Sequence, residues 1–418
     1  MSIEKFKSKR MLVFIAALIA TFCAGFGYSW SILQSAIMEL HPEWAASAIA
    51  ITYTLQVSLS CLGPIPLSPI ITRLNVKQNI IVGGILYGIG LIGCSFATSL
   101  VMLYIFYGVF AGLGVAFIYP QMMSYSVKVL PDKGSMASGM MAAAYGSGAV
   151  IWAPVANALI ENKSLSTTFI ILGVIFLVAI VAMAFFLADI PEGYVESFKK
   201  EEDTSKAAEA PQRVVVDKTR GEMIKTATCW IMMAGFSFGL TSGMLAISQA
   251  KGIVANTAGG SIAANAALAV SVITLFNTLG RLFWGAVSSK VGIYNVNIII
   301  CICSAICMGA LAFIPSGAAI VAFLALAAAC FGGLATLLTP MTADFFGYKN
   351  LTVNFGFMYI AFAVAALIGP RLATSMVAVS DSGVYSYATA YIVGAVLSAI
   401  GAVCAVILKG IYGKSLKK

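Results

Sequence analysis

Twelve stretches of the sequence are each long enough and apolar enough to cross a lipid bilayer as a helix, and that repetition constrains the fold more than any motif. A hydrocarbon core about 30 Å thick takes roughly 20 residues of helix. Runs of this kind occupy residues 11–36, 46–71, 79–98, 101–127, 136–160, 167–188, 226–250, 260–288, 293–314, 318–340, 353–378 and 387–408. Inside the bilayer no water satisfies backbone N–H and C=O groups, so each run must close its hydrogen bonds within itself, as an α-helix does. The expected fold class is therefore an all-α integral membrane protein with twelve transmembrane helices. The first run follows Lys5, Lys7, Lys9 and Arg10 and so has the look of a signal peptide. It is too long for one, and Gly25-Phe26-Gly27-Tyr28-Ser29-Trp30 continues it without a clear cleavage site, so we read it as a retained helix.

Charge marks the organisation of the chain. Only 10% of its 418 residues are charged and 60% are hydrophobic, against about 25% charged in a soluble domain, which excludes a soluble enzyme. Between Asp189 and Lys225, however, 16 of 37 residues are charged. Pro191 and Pro211 discourage a continuous helix there. We expect residues 190–225 to form a solvated cytoplasmic linker joining an amino-terminal six-helix bundle, 1–189, to a carboxy-terminal one, 226–418.

The formal net charge of +9 reads as topology, not as a nucleic-acid surface. Basic residues collect on the cytoplasmic side of a membrane. If both termini are cytoplasmic, 21 of the 25 Lys and Arg residues fall on that side; Lys163 and Lys251 fall outside, and Arg281 and Arg371 remain within spans. The expectation is a multi-pass cell-membrane protein with the lipid bilayer as its surroundings, no nucleic-acid partner, and function as a monomer.

The halves carry traces of duplication, a common origin of transporter bundles. Gly112-Leu113-Gly114 leads to Pro120 as Gly332-Gly333-Leu334 leads to Pro340, and Ala24-Gly25-Phe26 is matched by Ala234-Gly235-Phe236. The offsets, 220 and 210 residues, are close to half the chain.

Chemistry that needs clustered ligands is not indicated. The nine cysteines lie in apolar runs, and even Cys301, Cys303 and Cys307 have no neighbouring His or acid, so neither a metal nor a cofactor is expected. Gly413-Lys414-Ser415 has Leu408 where a phosphate loop requires its upstream glycine. Paired carboxylates and nucleophile–base pairs are missing from the spans, so an enzyme is not expected. A linker of about 35 residues is too short for a folded signalling domain, which weighs against the alternative of a non-transporting membrane sensor.

Arg281 carries the functional reading. An ionisable side chain at bilayer depth costs about 2.5–3.5 kcal/mol and needs a partner, a wet cavity or a route to the interface. Arg281 lies nine residues before Lys290, about 13 Å along a helix. Thr274, Asn277, Arg281 and Trp284 share one face at three- and four-residue spacing, as a cavity lining would. The twelve runs contain no Asp or Glu to pair with it, so an anion fits, and the guanidinium fork matches a carboxylate bidentately. A structural role is the alternative. Arg371 stands about 18 residues into its run, where snorkelling to the interface explains it and an outer-vestibule role is the alternative. Tyr28, Tyr119 and Tyr145 offer hydroxyl donors on apolar rings, or serve simply as packing or interfacial side chains. Around Tyr145, Ala142-Ala143-Ala144 and Gly146-Ser147-Gly148 remove bulk for a ligand or for tight helix packing.

Several motifs resemble the major facilitator superfamily, and within it the oxalate/formate antiporter and monocarboxylate transporter group. They are Trp284-Gly285-Ala286-Val287-Ser288-Ser289-Lys290-Val291-Gly292, Tyr28-Ser29-Trp30, Pro131-Asp132-Lys133 followed by Ala137-Ser138-Gly139 and Tyr145-Gly146, Gly221-Glu222-Met223, and Asn354-Phe355-Gly356-Phe357. Ser289 departs from the acidic residue usual at its position, and the loop Thr72-Arg73-Leu74-Asn75-Val76-Lys77 is more degenerate. The resemblance implies the major facilitator fold and an alternating-access carrier of small carboxylates, working as a proton symporter or an anion exchanger. It places Arg281 where the family binds the substrate carboxylate, with Tyr28, Tyr119 and Tyr145 lining the cavity. Phe331 and Tyr359 stand where oxalate carriers have tryptophan, Phe362 where they have a second cavity cation, and Asn277 where monocarboxylate carriers have an aspartate. One cation in place of two favours a monocarboxylate such as lactate, pyruvate or formate; an oxalate/formate-type dicarboxylate antiporter is the alternative.

Overall fold

A computed structural model describes residues 2–198, 217–313, 317–379 and 385–415. Of the expected linker, residues 199–216 lie outside the described residues. Eleven helices among the described residues are long and apolar enough to cross a membrane, or twelve when the pair Ala48–Leu62 and Pro64–Ile71, bent by 49°, counts as one span. The chain divides into two compact units. One takes Met1–Asp132, Ala143–Ala208 and Phe355–Phe357; the other takes Lys133–Ala142, Glu209–Asn354 and Met358–Lys418.

In the first unit, α1 (Ile3–Ala24) is capped by the Ser2 hydroxyl, passes through a 3-10 stretch, Gly25–Ser29, and continues as α2 (Trp30–Leu40). The first run, expected to be one helix, is therefore tightened where Gly25 passes the backbone of Tyr145: a Cβ at Gly25 would lie 2.1 Å from the Tyr145 carbonyl oxygen. The second run is broken into α3 (Ala46–Leu62) and α4 (Pro64–Ile71). Pro64 has no N–H to give to the preceding turn, and its ring crowds the carbonyl four residues back. An Asn75–Gln78 capping box opens α5 (Val76–Cys94). The next span is α6 (Leu100–Leu103), a π-helical stretch Tyr104–Ala111 and α7 (Gly112–Val129), followed by α8 (Gly134–Asn162) and α9 (Leu165–Ala184). α8 runs through both groupings, in the second unit to Ala142 and in the first from Ala143.

Glycines set how closely these helices approach. α5 packs on α7 and α9. A Cβ at Gly83 would stand 2.7 Å from Ile118 Cγ1, and one at Gly114 would stand 2.7 Å from the Tyr87 nitrogen. Lipid tails are as apolar as leucine, so burial of apolar side chains drives no association here and close van der Waals contact at small residues takes its place. At the end bearing the terminus, Arg10 pairs with Asp132 at 3.2 Å, and Lys7 Nζ sits 4.6 Å from the centroid of the Phe198 ring.

In the second unit the order is α10 (Arg220–Met223), α11 (Ala227–Ser248), α12 (Ala250–Thr257), α13 (Gly260–Ala264), α14 (Ala266–Val291), α15 (Ile293–Leu311), α16 (Gly317–Phe346), α17 (Leu351–Met358), α18 (Ile360–Ser375) and α19 (Ala388–Ser415). The eighth run, expected over 260–288, is thus two helices separated at Asn265. Ala378–Val379 and Tyr385–Ser386 form an unexpected antiparallel strand pair. Three buried hydroxyls tie α11, α15 and α19 together: Ser242 to Ser304 at 2.6 Å, Ser398 to Ser242 at 3.0 Å and Ser398 to Ser304 at 3.5 Å.

The end of the charged segment is strapped to the loop after α16. The Lys218 N–H donates to the Phe346 carbonyl, and the Lys218 carbonyl accepts from Asn350 and Asn354 Nδ2. Asp217 Oδ1 accepts from the Lys349 N–H at 3.0 Å. Gly347, at φ +85°, lies against Asp217, where a side chain would be both strained and obstructed. Hydrogen bonds from the Thr219 N–H and hydroxyl hold the Glu222 carboxyl below its ordinary pKa.

The crossing of α1 and α8 is the tightest contact that positions a candidate site residue. A Cβ at Gly148 would lie 2.7 Å from the Gly25 carbonyl carbon. Gly148→Ala is expected to cost about 1–3 kcal/mol through overpacking, read as a lower thermal midpoint of the purified protein. An unchanged midpoint would show that the crossing relaxes.

Candidate functional site

The predicted site residues fall into two groups, one in each unit. In the first, Tyr145 is the ring that the other tyrosines meet: its centroid lies 5.2 Å from Tyr28, edge to face, and 4.5 Å from Tyr119. Tyr119 and Tyr145 are buried, whereas Tyr28, in the 3-10 stretch, is 45% exposed. Tyr119 precedes Pro120 in the interior of α7. Gly148, three residues after Tyr145, meets α1 directly, the tight packing expected as the alternative there.

Sequence reasoning missed a neighbouring aromatic set. Trp30 stacks against Tyr53 at 6.2 Å and tilts against Tyr107 at 4.5 Å, and its indole N–H donates to Gln34 Oε1 at 2.9 Å. Thr52, Gln56 and Ser60 are all buried on α3. Their i, i+4, i+8 spacing inside an apolar run was a readable sign of a polar inward stripe.

In the second unit, α14 turns Leu275, Leu279, Leu282 and Phe283 outward and buries Asn277, Thr278, Arg281 and Ser288. Arg281 is only 2% exposed. Its guanidinium Nη1 donates to the Ala142 carbonyl. Its own carbonyl accepts from the Thr336 hydroxyl on α16 at 3.3 Å, and that hydroxyl also reaches the Gly332 carbonyl at 3.1 Å. Ser138 Oγ donates to the Thr336 carbonyl at 2.8 Å. The helices meet through missing side chains: a Cβ at Gly332 would lie 2.3 Å from the Asn277 carbonyl oxygen and 3.0 Å from Arg281 Cγ, and one at Gly139 would lie 2.6 Å from the Arg281 carbonyl oxygen. Asn277 Oδ1 is buried and accepts no hydrogen bond among the described residues.

In the same unit Phe362 joins the other two predicted aromatics, 4.7 Å from Tyr359 and 5.9 Å from Phe331, the latter edge to face. Phe331 immediately precedes Gly332 on α16 but faces α11, where a Cβ at Gly243 would lie 2.2 Å from Phe331 Cβ. Thr274, expected on the same face as Arg281, is partly buried and donates its hydroxyl back to the Val270 carbonyl. Trp284 packs on Gly333, whose Cβ would lie 2.5 Å from the indole. Arg371 is exposed toward the end of α18. Among the described residues no group of three or more His, Cys, Asp or Glu side chains is placed to hold a metal.

A profile of the major facilitator superfamily matches residues 12–327. The chain belongs to the major facilitator superfamily. Among its relatives, the uncharacterized MFS-type transporter YhjX of Escherichia coli (strain K12) is 30% identical over 376 residues, covering 88% of each chain. The oxalate:formate antiporter of Oxalobacter formigenes is 26% identical over 411 residues, covering 97% of this chain and 92% of that one. Monocarboxylate transporter 12 of Rattus norvegicus is 26% identical over 340 residues, covering 76% and 69%. In architecture the chain is similar to the E. coli fucose:proton symporter FucP, with a TM-score of 0.70 over 96% of this chain and 99% of that one at 15% identity, a likeness of fold alone. The expected fold class is therefore the observed one, and this multi-span membrane protein is a transporter of that superfamily.

In this transporter Thr336 supports the backbone of Arg281. Thr336→Val keeps the shape and removes the hydroxyl, and is expected to cost about 1 kcal/mol, measured as a lower thermal midpoint. Retention of the wild-type midpoint would remove the support assigned to that hydroxyl.

Proposed function

We propose that this transporter carries small monocarboxylates of the lactate, pyruvate and formate type by alternating access, with Arg281 as the carboxylate anchor. The observation that supports this most is the enclosure of Arg281 in a chain whose twelve apolar runs contain no Asp or Glu. A guanidinium at that depth is costly and persists where it serves a function. Its Nη1 donates to the neutral Ala142 carbonyl, whereas a substrate carboxylate offers a charge-assisted bond, roughly twice as strong and able to engage the fork bidentately. Tyr28, Tyr119 and Tyr145 supply hydroxyl donors, Asn277 a further polar contact, and Phe331, Tyr359 and Phe362 the apolar remainder. The names of two relatives, an oxalate:formate antiporter and a monocarboxylate transporter, agree with a small organic anion.

Phe362 directs the reading toward monoanions. A single cation leaves the second carboxylate of oxalate uncompensated in a low-dielectric site. The moving parts are the six-helix bundles 1–189 and 226–418 with the charged linker between them, in a cell-membrane monomer with cytoplasmic termini. Transport proceeds as proton symport or anion exchange; an imposed pH gradient and an internal counter-substrate distinguish the two.

Uptake of labelled lactate, pyruvate, formate and oxalate into liposomes containing the purified protein tests the assignment. Arg281→Ala is expected to lower monocarboxylate flux by at least about tenfold, the loss of a charge-assisted contact; undiminished flux would remove Arg281 as the anchor. Phe362→Lys is expected to raise the oxalate-to-formate flux ratio. A wild type that carries oxalate well and ignores monocarboxylates would overturn the preference drawn from Phe362.

A further inference from the structure

On the outward face of the first unit, α5 and α9 border a wide-open apolar groove of about 520 Å³ lined by Ile85, Leu177, Val178, Val181, Ala182 and Phe185. Its volume falls within the roughly 300–1,000 Å³ of small-molecule sites. Behind it the two helices are pressed together: a Cβ at Gly84 would lie 2.8 Å from Ile180 Cγ2, and one at Gly88 would lie 2.6 Å from Leu177 Cβ. The groove is therefore a fixed concavity backed by close helix contact. Ile85, Val178 and Phe185 are strongly exposed in the isolated chain, and in a membrane-spanning unit that exposure is to lipid.

One end of the groove is charged. Lys77 Nζ lies 3.9 Å from the centroid of the Phe185 ring, so the ammonium caps a lining residue at the end where α5 begins and α9 has just finished. Ile85 is eight residues further along α5, about 12 Å at the helical rise. The slot is thus cationic at one end and purely apolar inward from it. An acid, Asp189, stands at the same end, its Oδ1 accepting from the Val76 N–H at 3.2 Å. A cation over an aromatic face keeps N–H donors directed away from the ring.

We propose that this groove is a binding site for an anionic glycerophospholipid, with an acyl chain along Ile85, Val178 and Val181 and the phosphate of the headgroup on Lys77. The chemistry is that of an amphiphile with negative charge at its polar end. Neither Lys77 nor any lining residue belongs to the set proposed for the carboxylate substrate.

The test uses the full-length protein purified in detergent with equimolar phosphatidylglycerol and phosphatidylcholine of identical acyl chains, with retained lipid identified by native mass spectrometry. Near a membrane surface one lysine is worth about fivefold in preference for an anionic lipid. The wild type is expected to retain phosphatidylglycerol over phosphatidylcholine by about that factor. Lys77→Gln is expected to bring the ratio close to one while keeping lipid bound, and Val178→Phe, which fills the groove, to lower retention of both lipids. Val178 faces outward, so this variant leaves the packed core intact. A wild type without preference, a Lys77→Gln variant that keeps the preference, or a Val178→Phe variant that retains lipid undiminished would each overturn the proposal.

Discussion

Helices in a bilayer gain little from hiding leucine from lipid, so this structure depends on places where backbones come close enough for dispersion and hydrogen bonding to hold them. Those places are glycines. Gly25 and Gly148 bring α1 against α8 within the first unit, and Gly139, Gly285 and Gly332 do the same around Arg281 in the second. The side chains of the proposed site stand beside these contacts. Tyr145 is three residues from Gly148, and Asn277 and Arg281 flank the point where Gly332 would have carried a methyl group. The closest crossings thus fix the orientation of the polar groups that are costliest to leave unsatisfied.

Interior polarity follows the same economy of partners. Most buried Ser and Thr hydroxyls return to a carbonyl one turn back, as Thr21 does to Ala17, Thr241 to Ser237 and Thr342 to Leu338. Such bonds satisfy the hydroxyl without constraining a neighbouring helix. Those that also reach another segment have structural consequences. Ser242, Ser304 and Ser398 share their hydroxyls across three helices, while Ser138 and Thr336 reach carbonyls of other segments at the Arg281 seam. The strap at Asp217 and Lys218 shows the same rule at the membrane edge, where backbone groups of the loop after α16 are met by the end of the charged segment.

The spans were legible because length and apolar content are summed over twenty residues, and the isolated Arg281 was legible because one charge in such a run has few explanations. What the sequence concealed is local or long-range. The break at Gly63 hides in a run whose two helices together stay apolar enough to span, although Pro64 and Pro66 mark it chemically. The 3-10 stretch at Gly25–Ser29 arises from the approach of Tyr145, 120 residues away in the chain, which no window on the first run contains. The pairing of Trp30 with Tyr53 and Tyr107 is concealed for the same reason. By contrast Phe331, Tyr359 and Phe362 were named through family resemblance, and the structure brings all three together. Composition could not have found them, because aromatic residues are common throughout the apolar runs.

On the proposed assignment, charge balance explains why Asn277 and Phe362 belong together. A buried guanidinium and one carboxylate form a neutral pair, and an enclosed neutral pair avoids most of the desolvation cost that either ion bears alone. A lysine at position 362 would add a charge that a monoanion could not neutralise, and an aspartate at 277 would compete with the substrate for the arginine. Asn277 and Phe362 supply neither charge, and the Phe362 ring is instead held by Phe331 and Tyr359 as part of an apolar wall. On that assignment the ligand sets the net charge of the site, which is the reason the proposal favours a monoanion over a dianion.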